Sequence, residues 1–378
     1  MSPSLQIVAF DNPNPPDYGG AVEVFHKLKS LYELGVKIDL HVFIYGKRRE
    51  FAVLEEMCRQ VFYYDRNTTP ATTLSKRPYI VASRENSELL TNLADSPAPI
   101  LFEGLHTCGF LHREELKDHF RMVRTHNVEH EYYAGLAKGG STLMRKAYYR
   151  LEAKKLVDFE KQLSHADVIL AITESDADHF SRYGRSVWLP PFSRTYSAEK
   201  PGGDFALFHG NLAVSENHRA AMFLIDEVFS KMTRPFVIAG KQPGPQLVRA
   251  VRSHKHITLV ADPDSATMNR LLLQAKCHVF HTDQNTGIKL KFIHAIQTGG
   301  HIVLNGKMLF DSRYADEVEL AETGAEYISR IEECLQSEEA KPRERLRSLF
   351  DNAENARKIV DLLKEGKKRT ETGSLYKG

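Results

Sequence analysis

The chain has 378 residues, of which 42% are apolar and 26% charged, and its formal net charge is +2. That composition is the one expected of an ordinary soluble globular protein, and the near-neutral balance excludes a dedicated nucleic-acid binder. No apolar run approaches the ~18 residues of a membrane span, and the length favours two domains of roughly 150–200 residues each over one core.

Read in chain order, short β-rich runs alternate with helical periods, the pattern of parallel sheets with crossover helices. The first half predicts strands at Leu5–Phe10, Lys37–Ile44, Val61–Tyr64, Ile100–Glu103, Met122–His126 and Val168–Ala171. Its helices are expected at Ala21–Leu34, Glu85–Leu93 and Leu143–Leu163. A stretch rich in Pro, Gly and Ser, 191–204, reads as a linker between residues 1–190 and 205–340. The second half predicts strands at Phe205–His209, Phe236–Ala239, Ile257–Val260, His278–His281 and His301–Leu304. Helices are expected there at Glu216–Ser230, Leu247–Ser253, Ser265–Gln274 and Lys289–Gln297, with a further helix in 341–366 and disorder in the basic tail after it. Four cysteines far apart in sequence fit neither a disulfide framework nor a C-x-x-C site. Together with an N-terminus that runs straight into a strand without a basic-then-apolar leader, they suggest a reducing, cytoplasmic setting.

Three segments carry chemistry. The first strand leads through a proline-rich loop to Gly19 and Gly20 at the start of a helix, where a glycine pair lets the backbone approach a ligand closely. The second segment, His126-Asn127-Val128-Glu129-His130, matches the H-x-x-E-H zinc motif of one class of peptidases. It follows a strand directly, however, whereas zinc ligation would need both histidines on one helical face and a third ligand. The third is Cys277–Asn305: a buried strand, a polar loop, Gly287 and Ile288, then a helix with Lys289 and Lys291 in its first turn. A helix N-terminus with free N–H groups and an adjacent lysine is suited to a phosphate. Two residues apart on a helix, the lysines point about 200° apart, so Lys289, nearer the N-terminus, is expected to face the anion and Lys291 to be solvated.

These segments resemble family 4 glycosyltransferases, in the strand and G-x-K-x-K helix of the third segment and in the R-x-H-N-x-E pattern at Arg124–Glu129. The resemblance implies an α/β fold of two Rossmann-like (GT-B) domains facing a central crevice. It implies a nucleotide-sugar donor, UDP- or GDP-linked, bound by the C-terminal domain, and a glycan or lipid-linked acceptor bound by the N-terminal domain. Transfer would proceed with retention and without a metal or other cofactor. The last helix would cross back to the N-terminal domain. His126, Asn127 and Lys289 become the catalytic candidates. Gly19, Gly20, Gly210, Asn211, Asn217, Thr286, Gly287, Ile288, Lys291 and His294 become the donor-binding candidates.

The chain departs from that family where charge matters most. Relatives open the C-terminal domain with G-R and a lysine six residues on; this chain has Gly210-Asn211 and Asn217. The E-x7-E signature falls on Thr286 and His294. These departures keep alive a binding or partner module with weak or no catalysis, and the H-x-x-E-H match keeps a zinc hydrolase as a further alternative. Finally, Leu143–Leu163 sets Lys146, Arg150, Lys154 and Lys161 against Leu151, Leu156, Phe159 and Leu163, a basic amphipathic pattern compatible with peripheral contact at the inner membrane face.

Overall fold

The computed structural model describes residues 2–46, 51–139, 142–196, 199–283 and 288–375, with side chains to residue 367. The chain divides into two compact units, Met1–Phe192 with Asp351–Gly378, and Ser193–Phe350.

The first unit holds seven parallel strands, β1 (Ser4–Ala9), β2 (Lys37–Ile44), β3 (Gln60–Asp65), β4 (Ile100–Glu103), β5 (Arg121–Arg124), β6 (Val168–Ala171) and β7 (Ser186–Trp188), in the order β3-β2-β1-β4-β5-β6-β7. The central strands β1, β4 and β6 are buried on both faces, which is why they are mostly apolar, broken only by Ser4, the buried Gln6 and the buried Glu103. Four helices matter here: α1 (Gly19–Glu33), α2 (Glu129–Gly139), α3 (Leu143–Glu160) and α4 (Glu174–Phe180). The second unit has β8 (Ala206–His209), β9 (Phe236–Gly240), β10 (Ile257–Ala261), β11 (Cys277–Phe280), β12 (His301–Leu304) and β13 (Glu319–Leu320), ordered β10-β9-β8-β11-β12-β13. Its relevant helices are α5 (Ser215–Phe223), α6 (Leu290–Gln297) and α7 (Gly324–Gln336). In each sheet the strand order reverses beside the first strand, at β1/β4 and at β8/β11. Such switch points are where open α/β sheets bind ligands, beyond the carboxyl ends of the strands.

The final helix, α8 (Asn352–Leu375), packs on α1: Ala356, Ile359, Leu362 and Leu363 share a core with Val24, Leu28 and Leu31. The sequence suggested one helix across 341–366, but the structure has two, because the Asp351 carboxylate accepts from Glu354 N–H at 2.9 Å and starts a new helix after the short one at Glu344–Leu349. Nor does the chain lose order at Gly366: a Cβ there would lie 2.4 Å from the Phe120 ring, so the glycine lets the helix press onto the unit.

Three other differences have local causes. The helix expected at Glu216–Ser230 is α-helical only to Phe223 and continues as a π turn and a 3₁₀ turn, since 3.6-residue periodicity does not register such changes. Helix α7 went unread, although its Thr323…Glu326 capping box is a sequence-level start signal. In the proline-rich stretch read as a linker, Arg194 bonds Asn269 at 2.8 Å and Tyr196 N–H bonds Gln297 at 3.2 Å, so it lies against the second unit from Ser193 onward.

Candidate functional site

In the first unit the candidates gather at the carboxyl ends of β1, β4 and β5. Gly19 and Gly20 open α1, and a Cβ on Gly20 would meet the Phe10 ring at 2.6 Å, so glycine is what lets the loop close over Phe10. Phe10 in turn stacks on His106 (5.1 Å between centroids) and meets His126 edge-on (5.2 Å). His126 Nε2 lies 3.0 Å from Glu103 Oε2, and Lys27 Nζ donates to the other Glu103 oxygen at 2.6 Å. Lys27 also sits 3.1 Å from Glu23, which Arg124 Nε reaches at 2.8 Å. Glu23, Lys27, Glu103 and Arg124 are all buried. Burial by itself would push the Glu103 carboxyl up, but Lys27 and His126 overcome it and hold the pKa near about 2. His126 is thus fixed by an ionised carboxylate whose other oxygen is tied to a lysine, leaving the rest of the partly exposed ring toward the sheet edge.

Asn127 is exposed and bonds Glu129, the first residue of α2, whose carboxyl is pushed up to about 7 by burial despite Asn127 and Arg84. The H-x-x-E-H motif does not assemble as a zinc triad: His126 pairs with Glu103, whereas His130 Nδ1 lies 2.8 Å from Glu160. Sequence reasoning missed Glu103, Lys27 and Glu23. Their signal was present, as Glu23 and Lys27 stand four apart on the otherwise apolar face of α1, and Glu103 ends an apolar strand.

In the second unit the candidates gather at the β8/β11 switch point. Gly210 follows β8, and its carbonyl oxygen would be 1.8 Å from a Cβ on Gly240, so the β8 and β9 ends close up only because Gly240 has none. Asn217, in the first turn of α5, donates to the Asn211 carbonyl at 3.0 Å and accepts from Lys291 Nζ at 2.9 Å. Lys291, expected to be solvated, is instead mostly covered, its ammonium 4.8 Å from the Phe208 ring centroid and 5.8 Å from that of Phe280. Burial pulls its pKa down to about 8, and Glu216 only partly offsets that. Lys289 is the N-cap of α6, in extended rather than helical conformation, with Nζ 3.5 Å from Glu216. Ile288 packs on the core. His294 lies on α6 between Tyr196 (5.4 Å) and His209 (6.4 Å, nearly parallel rings). His209 ends β8, and its pKa is driven well below the usual imidazole value by burial and by the neighbouring His294 and His278. Thr286 and Gly287 lie outside the described residues.

The arrangement therefore brings together two helix N-termini, at Ser215 and Leu290, two lysines, the Glu216 carboxylate that partly offsets them, and neutral amides around one short loop. It favours an anion with several acceptor oxygens. A separate cavity of about 680 Å³, lined by Lys276, His301, Arg343 and Glu338 among others, opens at the opposite edge of this sheet, where the strands begin.

No family model matches the chain. Among solved structures, it is similar to sucrose-phosphate synthase from Thermosynechococcus elongatus, at 13% identity and a TM-score of 0.66, covering 97% of this chain and 99% of that one. Anabaena HepE, in complex with UDP and glucose, is 10% identical with a TM-score of 0.64, covering 96% and 99%. The chain has the GT-B fold. A GT-B likeness extends also to a TarM variant of S. aureus in complex with fondaparinux, alpha-GlcNAc-glycerol and UDP, at 9% identity and a TM-score of 0.62, covering 98% and 99%. A curated relative, an uncharacterized 44.6 kDa protein in the cps region of Klebsiella pneumoniae, is 23% identical over 320 residues, 79% of this chain and 81% of its own length.

Proposed function

We propose that this chain is a glycosyltransferase that moves a sugar from a UDP- or GDP-sugar to a glycan or lipid-linked acceptor, with retention and without a metal at the transfer step. The observation that carries this reading is Lys291, a largely buried cation bonded to Asn217 beside the α5 and α6 N-termini. It offers the charge that the family 4 pattern otherwise draws from an arginine and a lysine, at the position where 211 and 217 carry only amides. The UDP and glucose bound by HepE, and the UDP bound by TarM, support a nucleoside diphosphate as the ligand class, and the cps-region relative fits a polysaccharide product.

In the reaction so envisaged, the bond between the anomeric carbon and the diphosphate oxygen breaks while the acceptor hydroxyl bonds to that carbon, and the hydroxyl proton passes to the departing phosphate. Lys291, Lys289 and the helix N-termini stabilise the developing diphosphate charge. His126, oriented by Glu103, acts on the reacting sugar or acceptor rather than on the nucleotide. Helix α3 supports a lipid-linked acceptor at a membrane surface: Leu143, Met144 and Leu151 are 86%, 83% and 54% exposed, interspersed with exposed Arg150, Lys154 and Lys161. Leu151, expected on the core side, is turned outward. No helix among the described residues is long and apolar enough to cross a membrane.

The test is calorimetric titration with UDP and GDP, with and without EDTA, followed by assay of slow sugar-nucleotide hydrolysis. Binding of one diphosphate in EDTA together with hydrolysis supports the transferase. Binding without hydrolysis or transfer favours the module with weakened catalysis that the amides at 211 and 217 motivate, and absence of binding to either diphosphate rejects both readings.

A further inference from the structure

Away from the β8/β11 site, the first unit builds a cluster that neither the transfer chemistry nor the fold requires. His130 Nδ1 lies 2.8 Å from one oxygen of Glu160 and His179 Nε2 lies 2.6 Å from the other. The two imidazoles are 5.4 Å apart between centroids, and the three ligand atoms all fall within 4.8 Å of one another. They come from three helices: the second residue of α2, the last of α3 and the sixth of α4. Glu160 is buried, while the histidines are 21% and 14% exposed, so an ion has a route in from solvent.

We propose that His130, Glu160 and His179 form a site for a divalent transition metal of the zinc class, which staples α2, α3 and α4 together. Two imidazole nitrogens and one carboxylate are a donor set that such ions take, with solvent in the fourth position. Metal–nitrogen and metal–oxygen bonds of about 2.0–2.2 Å place tetrahedral donors roughly 3.4 Å apart. The two histidine–carboxylate separations, 2.8 Å and 2.6 Å to different oxygens of Glu160, each open by less than about 1 Å to reach that spacing. The Tyr183 hydroxyl bonds Glu160 and would hold it in place as a ligand. The set differs from the one the H-x-x-E-H spacing suggests: only His130 is common to both, and His126 belongs to the Glu103 pair.

The experiment uses the full chain without a polyhistidine tag, stripped with a chelator and dialysed, then equilibrated with Zn²⁺ or with Co²⁺ as spectroscopic probe. One ion per chain by elemental analysis, the visible absorption of four-coordinate Co²⁺, and a rise in Tm of about 5 °C at a hundredfold excess over the dissociation constant are expected. His179→Gln and Glu160→Gln lose the ion, and His126→Ala keeps it. Should Glu160→Gln fail to fold, the partly exposed His179 position and the wild-type Co²⁺ spectrum still decide the matter. A chain that takes up no ion and shows no Tm response overturns the proposal. So does one in which His126→Ala abolishes binding while His179→Gln retains it.

Discussion

Substituting Lys291 tests the diphosphate site through its proton as well as its charge. Burial against Phe208 and Phe280 lowers its pKa from 10.5 to about 8, a shift that corresponds to roughly 3 kcal/mol against the charged form. The sign follows from proton counting. Between about pH 8 and the unfolded value the unfolded chain holds the proton that the folded chain has released, so Lys291 makes the free protein more stable as pH rises through that window. A bound diphosphate acts oppositely, because it favours the ammonium; its own last ionisation, near pH ~6, is complete and adds no slope. UDP affinity should therefore be nearly flat up to about pH 7.5 and then fall, by about three- to sevenfold per pH unit at the steepest for a total charge effect of about 10- to 100-fold. Lys291→Met should bind UDP about 10- to 100-fold more weakly at neutral pH, the equivalent of one charge-assisted contact of ~1.5–3 kcal/mol, and should lose the alkaline dependence. It should melt no lower than the parent, since a buried charge has been replaced by an apolar chain of similar length. Calorimetric titration across the pH range in buffers of different ionisation enthalpy reads both the affinity and the proton taken up. An unchanged dissociation constant in Lys291→Met would show that the ammonium does not face the diphosphate.

Three further outcomes are expected. His126→Ala should lower sugar transfer or donor hydrolysis far more than it weakens UDP binding, as measured by steady-state rates alongside calorimetry; equal losses in both would assign His126 to the nucleotide. Lys27→Met leaves Glu23 and Glu103 buried with less compensation and should cost about 3–5 kcal/mol in urea denaturation. The parent should also lose stability as pH falls from the unfolded carboxylate range through about 2, where Glu103 titrates when folded, and Lys27→Met should show less of this acid loss. Thr323→Ala removes one half of the capping box of α7 and should cost about 1 kcal/mol, lowering Tm by roughly 2–4 °C.

Much of the architecture is written locally. Short apolar runs buried on both faces mark β4, β6 and β12, and β2 shows the same through Ile38, Leu40, Val42, Phe43 and Ile44, so all four begin and end where the residue pattern says they do. The edge strands β7 and β13, three and two residues long, carry too little pattern to be read and exist because a neighbouring strand offers them hydrogen bonds. The glycine pair at 19–20, the histidine at 126 and the lysines at 289 and 291 were also legible, since loop chemistry at strand ends is local. Which lysine is buried was not, because that depends on Asn217, 74 residues earlier, and on two phenylalanines from different strands. The same holds for His130, whose partners Glu160 and His179 lie 30 and 49 residues further on, on other helices. The H-x-x-E-H spacing would pair it with His126 only if both stood on one helix, and His126 follows a strand instead. Local sequence determines which segments are strand or helix through periodicity and capping, but the pairing of charges and ligands depends on distances that only packed elements define. For that reason the residue types of the site were readable in the sequence, and their contacts only in the fold.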